Sequence, residues 1–126
     1  MIFTTNLITN YDDAFKYAQE ALVKLDEIIP NSTRNLALYR GRRAMALAIL
    51  GRIDEAKAEL DAVYNLPLCD GCNYCYCKDA DIFKANIEEI CGNYKKAMEL
   101  YQDSIKRWSD DLDFVSGIRR LVRRGY

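Results

Sequence analysis

The sequence contains no histidine. That removes the commonest general base and the commonest metal ligand together. Proline occurs twice and net charge is -1, so neither a proline-rich linker nor a strong overall field is present. A near-neutral chain has no general pull toward nucleic acid or an anionic membrane surface. The longest apolar run, Ala44 to Leu50, is far too short to cross a bilayer, so no membrane partner is expected. Met1–Asn6 lacks the basic-then-apolar order of a signal peptide. The expectation is therefore a cytoplasmic protein. A glycine-rich phosphate loop is missing as well, and β-branched residues never alternate over a useful length, which argues against strands.

What the chain does contain is a repeated phrase. Thr9-Asn10-Tyr11-Asp12-Asp13-Ala14, Gly51-Arg52-Ile53-Asp54-Glu55-Ala56 and Gly92-Asn93-Tyr94-Lys95-Lys96-Ala97 begin 42 and 41 residues apart. Each is a turn residue, a polar residue, a large apolar residue, two charged residues and alanine. Periods of this length mark stacked helical hairpins. Beyond each alanine the agreement continues through Ala18, Leu60 and Tyr101, then Leu22, Tyr64 and Ile105. Those offsets fall on one face of a helix. Tyr11, Ala14, Phe15, Ala18, Leu22, Leu25 and Ile29 form one apolar stripe. Tyr94, Ala97, Met98, Tyr101, Ile105 and Trp108 form another. Such stripes are buried against partner helices.

The partners precede each turn. Leu36–Leu50 is apolar nearly all round, with Ala37, Gly41, Ala44 and Ala48 as a small-residue face. Asp79–Cys91 turns Phe83, Ile87 and Ile90 inward. Gly41 costs about 1 kcal/mol in a helix interior, so the close approach of a neighbour is the expected compensation. Pro30-Asn31-Ser32-Thr33 breaks the chain, and Ser32 or Thr33 is placed to cap the next helix. Gly51 and Gly92 suit the left-handed position after a helix. Ser109-Asp110-Asp111 starts a last helix, Asp111 to Arg124. Six full helices are expected, with a short one at 2–8.

Leu50-Gly51-Arg52-Ile53-Asp54-Glu55-Ala56, continued by Leu60, Val63 and Pro67, resembles the centre of a tetratricopeptide repeat. Gly92, Tyr94, Ala97 and Tyr101 repeat it. The family's period is about 34 residues, so this chain resembles a long-repeat variant. The resemblance implies an all-α fold, a short right-handed solenoid of antiparallel hairpins. Its units are approximately 1–30, 33–67 and 79–109, with a cysteine-rich insertion at 68–78 and a capping helix at 111–124. It also implies a concave face that receives a peptide or a protein helix. Candidate groove residues are Asn35, Tyr39, Arg42, Arg43, Lys84 and Asn86. Members that clamp a partner's carboxylate use basic and asparagine residues where this chain has Gly41, Met45, Ile82 and Asn86, so that clamp is absent. The function implied is a non-catalytic interaction scaffold. Self-association is a further expectation, because a short stack leaves an open end. Arg119, Arg120, Arg123 and Arg124 stand on the last helix, where cations complement the helix C-terminus, so nucleic acid is not the expected partner.

The remaining chemistry is Cys69-Asp70-Gly71-Cys72-Asn73-Tyr74-Cys75-Tyr76-Cys77. Pairs spaced C-x-x-C bring two sulfurs to one soft ion, and zinc is the first candidate. An iron–sulfur cluster fits less well, since the bacterial pattern continues with a cysteine and proline that are missing here. Cys69, Cys72, Cys75 and Cys77 are the candidate ligands, with Cys91 as a remote one. The alternatives are a redox- or metal-responsive loop and inert thiols packed as small hydrophobes. Elemental analysis of protein purified under reducing conditions separates them. The expected outcome is zinc near one ion per chain; zinc and iron both far below that level remove the metal reading.

Overall fold

A computed structural model describes residues 3–33, 35–66, 77–109 and 111–126. Among the described residues there are six α-helices and no strand. They are α1 (Phe3–Ile28), α2 (Leu36–Ile49), α3 (Ile53–Tyr64), α4 (Cys77–Ile90), α5 (Tyr94–Arg107) and α6 (Leu112–Arg123), with a 3-10 turn at Ile29–Asn31 after α1. Among the described residues no helix is long and apolar enough to cross a membrane.

Two of the three expected turns form. At Gly51 the amide donates to Ala48 and the next amide, Arg52, to Leu47; at Gly92 the same pair of bonds reaches Glu89 and Glu88. Both glycines have φ of 82°, the left-handed region that a side chain makes costly. The first copy of the phrase departs from this. The chain runs as unbroken helix through Thr9 and Asn10, so the separate helix at 2–8 is absent. Thr9 stands where the other copies have glycine, and without a residue suited to positive φ the helix does not turn.

A fourth position behaves like the two glycine turns. Gly125 has φ of 99°, its amide donates to Val122, and the Tyr126 amide donates to Leu121. The last helix therefore ends in the same hydrogen-bonded turn as α2 and α4. Sequence reading treated residues 111–124 only as a cap; α6 occupies 112–123, and its N-cap is Asp111 in place of the expected Ser109, the Asp113 amide donating to the Asp111 carboxylate. The cap expected at Ser32 or Thr33 is not made. Ser32 instead donates back to the Ile28 carbonyl at the end of α1, and Asn35 enters α2 with φ of 59° and no side-chain cap.

Side-chain bonds give the directions. Asn86 and Glu89 of α4 meet Tyr101 of α5, and Asp81 meets Arg107 and Trp108, so the two helices are antiparallel. Between α2 and α4 the pairing is parallel: Gly41 lies against Phe83, and Asn86 donates to the Met45 sulfur. Those partners are 42 and 41 residues apart, the same interval that separates the repeated phrases. Glu89 with Arg120 and Lys78 with Asp111 place α6 parallel to α4. Thus α2, α4 and α6 run side by side in one direction. Among the described elements α4 packs on both α2 and α3, and α6 on both α5 and α4.

Two apolar clusters fill the interior. One gathers Ala44, Leu47, Ala56, Val63, Phe83 and Ile87 from α2, α3 and α4. The other gathers Ala85, Ala97, Met98, Tyr101, Phe114 and Leu121 from α4, α5 and α6. The α5 stripe read from sequence lies in this second cluster. The α1 stripe is buried at Ala18 and Leu25, but Ala14 and Phe15 are exposed. Charged groups tie the helices together as well. Arg43 bridges Asp26 of α1 and Glu59 of α3, and Arg40 joins Glu59. The buried Asp81 carboxylate accepts from Tyr64 of α3 at 2.9 Å, from Arg107 at 2.7 Å and from the Trp108 indole at 3.1 Å. Three donors are enough to hold an anion away from water.

The space expected at Gly41 is used. A Cβ there would run into the ring of Phe83. Gly41→Ala gains at most about 1 kcal/mol of helix propensity. It costs about 1–3 kcal/mol in overpacking, so net destabilisation is expected in thermal or urea melts. In the background of Phe83→Leu the same change should cost measurably less, a positive coupling in a double-mutant cycle.

Candidate peptide-binding groove

The parallel row of α2, α4 and α6 leaves a groove of about 300 Å³. Leu38 and Arg42 come from α2; Asp79, Ile82, Phe83 and Asn86 from α4; Asp113, Ser116 and Arg120 from α6. Leu38, Ile82 and Phe83 are its apolar floor. The ionisable groups are sorted by sign along the axis. Asp79 and Asp113 lie in the first turns of their helices, where acids are favoured by the helix dipole. Arg42 and Arg120 lie further along their helices.

Each charge has a different degree of commitment. Arg120 donates twice to Glu89, at 2.9 and 3.1 Å, and once to the Tyr101 hydroxyl at 3.2 Å. The Tyr101 ring is fully buried, and its hydroxyl shares one proton between Asn86 and Glu89. Burial alone would raise the Glu89 carboxyl, but hydrogen bonds from Arg120 and Tyr101 hold it below the usual carboxylate range. Burial raises Tyr101 far above an ordinary phenol, and the adjacent Glu89 adds to the shift. Arg42 makes no ion pair among the described residues. Asp79 is raised by burial first, with the like charges of Asp111 and Asp113 adding to it against Lys78. A cationic group brought beside Asp79 would be welcomed for that reason.

Of the six groove residues expected from sequence, Arg42 and Asn86 line this cavity. Asn86 holds it from below through Tyr101 and Met45. Arg43 points away to the ion pairs with α1 and α3 and serves packing. Arg42 and Arg43 part because adjacent residues on a helix face directions about 100° apart. Asn35 and Lys84 are exposed and Tyr39 is half-buried, but none of the three lines the cavity. The other seven lining residues, among them Asp79, Asp113, Ser116 and Arg120, were not among the six expected.

Cys69, Cys72 and Cys75 lie outside the described residues, as does the side chain of Cys77. Cys91 is described; it is a free, half-buried thiol at the end of α4, and burial raises it above the ordinary thiol range. Among the described residues no group of three or more cysteine and acidic side chains is placed to hold a metal ion. Neither a protein-family model, nor a curated protein, nor a solved structure matches the chain.

The phenol network sets an alkaline limit. Tyr101 binds its proton more tightly in the folded state than in the unfolded one. Its contribution is therefore full below about pH 10 and is lost as pH rises beyond it. Thermal melts at rising alkaline pH should show a falling Tm, and the fall should be shallower in Tyr101→Phe. An equal slope in both proteins would refute this account of the phenol.

Proposed function

We propose that this chain is a non-catalytic interaction module of tetratricopeptide type, in which the groove between α2, α4 and α6 receives an extended or helical peptide segment of a partner protein. The carrying observation is the match between sequence period and spatial offset: α2 and α4 lie parallel with partners 41 and 42 residues apart. A true repeat unit requires that agreement, whereas a chance helical bundle does not. The turn at Gly125 supports the same reading, since 33 residues separate it from Gly92. That interval is close to the family's repeat of about 34. The longer interval before it contains the cysteine-rich insertion at 68–78. Continued at a constant step, such hairpins coil as a short right-handed solenoid with the first helices of each pair on the concave side.

The groove's sign order gives the partner its chemistry. A segment with an apolar residue over Leu38, Ile82 and Phe83 fits when it carries a cation toward Asp79 and Asp113 and an acid toward Arg42. Desolvating those groups without matching charges would be costly, so the order confers specificity more than affinity.

Selection from a displayed random-peptide library tests the proposal. The expected winners place a basic residue and an acidic residue on opposite sides of an apolar one. Ser116→Trp, which fills the cavity from an exposed position on α6, should lose them by tenfold or more, while its helical circular dichroism stays unchanged. Winners that ignore both Ser116→Trp and Arg42→Glu would defeat the groove.

A further inference from the structure

The three glycine turns put α2, α4 and α6 into a common register. Ten residues before each glycine stand Gly41, Ile82 and Val115; six before stand Met45, Asn86 and Arg119; three before stand Ala48, Glu89 and Val122. In α2 these positions face α4, as the contacts of Gly41 with Phe83 and Met45 with Asn86 demonstrate. In α4 Asn86 turns back to Met45 of α2, while Glu89 meets Arg120 of α6. In α6 two of these positions are apolar, the half-buried Val115 and the exposed Val122, with Arg119 between them. Val122 is 59% exposed, and Leu112, on the same stripe, is 76% exposed. Isolated apolar residues on a surface need no explanation, but a stripe at positions used twice for packing does.

The opposite end of the molecule is also uncovered. α1 buries Ala18 and Leu25 against its neighbours, while Tyr17 and Val23 on its outer side are 64% and 62% exposed. Asp13, Glu20 and Glu27 stand on that outer side, with Lys16 and Lys24. The α6 stripe is bordered by Arg119 and Arg123, which have no acid partner among the described residues. An α6-to-α6 contact would set these arginines against their own copies. An α6-to-α1 contact sets them against a net acidic helix and continues the alternation of helices within the chain.

We infer that the apolar stripe of α6 (Leu112, Val115, Val122, flanked by Arg119 and Arg123) docks on the outer face of α1 of a second copy of this chain, giving head-to-tail self-association. Such a contact is heterologous: each copy keeps one free end, so assembly grows with concentration instead of stopping at a dimer. This surface lies apart from the groove, and variants that block it should leave peptide selection intact.

Sedimentation velocity on the full chain, over about a hundredfold range of concentration, tests the inference. The expected result is an average mass that keeps rising above one chain. Two variants then block one end each: Leu112→Glu with Val122→Glu on α6, and Tyr17→Glu with Val23→Lys on α1. All four positions are exposed, so folding is preserved and is checked by helical circular dichroism. Each variant alone should remain monomeric, while an equimolar mixture should form a species of two chains through the remaining intact pair of ends. A wild-type chain that stays monomeric throughout overturns the inference. So does an α1 variant that still self-associates, because the outer face of α1 is then not the docking surface.

Discussion

An aromatic ring resting on bare glycine backbone governs the spacing of this molecule. It occurs twice: Phe83 of α4 lies on Gly41 of α2, and Tyr101 of α5 lies on Gly117 of α6. In each case a Cβ would collide with ring carbons. Glycine within a helix is unfavourable by itself, and the loss is offset by burying a large ring against the neighbouring backbone. The clusters around Leu47 and around Phe114 take their shapes from these approaches. So does the parallel row of α2, α4 and α6 that opens the groove.

Tyr101 carries a second duty because its hydroxyl reaches past the glycine. Through Asn86, Glu89 and Arg120 it fastens α4, α5 and α6 at one polar point inside an apolar setting. A partly buried network of this kind specifies one arrangement, since any slip of register strands several charged or polar groups. The groove floor and the polar network are thus two sides of the same helix contacts. One sorts apolar from polar along α4, and the other fixes α6 at the distance that leaves a cavity.

Much of the fold was legible because glycine and small residues carry unambiguous backbone meaning. Gly51 and Gly92 announced their turns, and Gly41 announced a close neighbour. The first repeated phrase misled for the same reason inverted: Thr9 and Asn10 resemble a turn in polarity, but neither has glycine's freedom, and α1 runs straight through. Gly125 went unread because the interval changes from 41 to 33 residues, so a constant period skipped over it. The groove was less legible than the helices. Arg42 and Arg43 are equivalent by composition, and only the helical rotation decides that Arg42 faces the cavity while Arg43 joins Asp26 and Glu59. Asp79, Ser116 and Arg120 come together through the parallel alignment of α4 and α6, which no local pattern announces.

The bond from Trp108 to Asp81 has an optical corollary. Trp108 is the sole tryptophan, and its indole hydrogen bond ends on a buried carboxylate that also holds Tyr64 and Arg107. Indole emission is sensitive to a nearby negative charge and to water. Intrinsic fluorescence of this chain consequently reads out the seam where α3, α4 and α5 converge, reporting any parting of neighbouring hairpins without an attached dye.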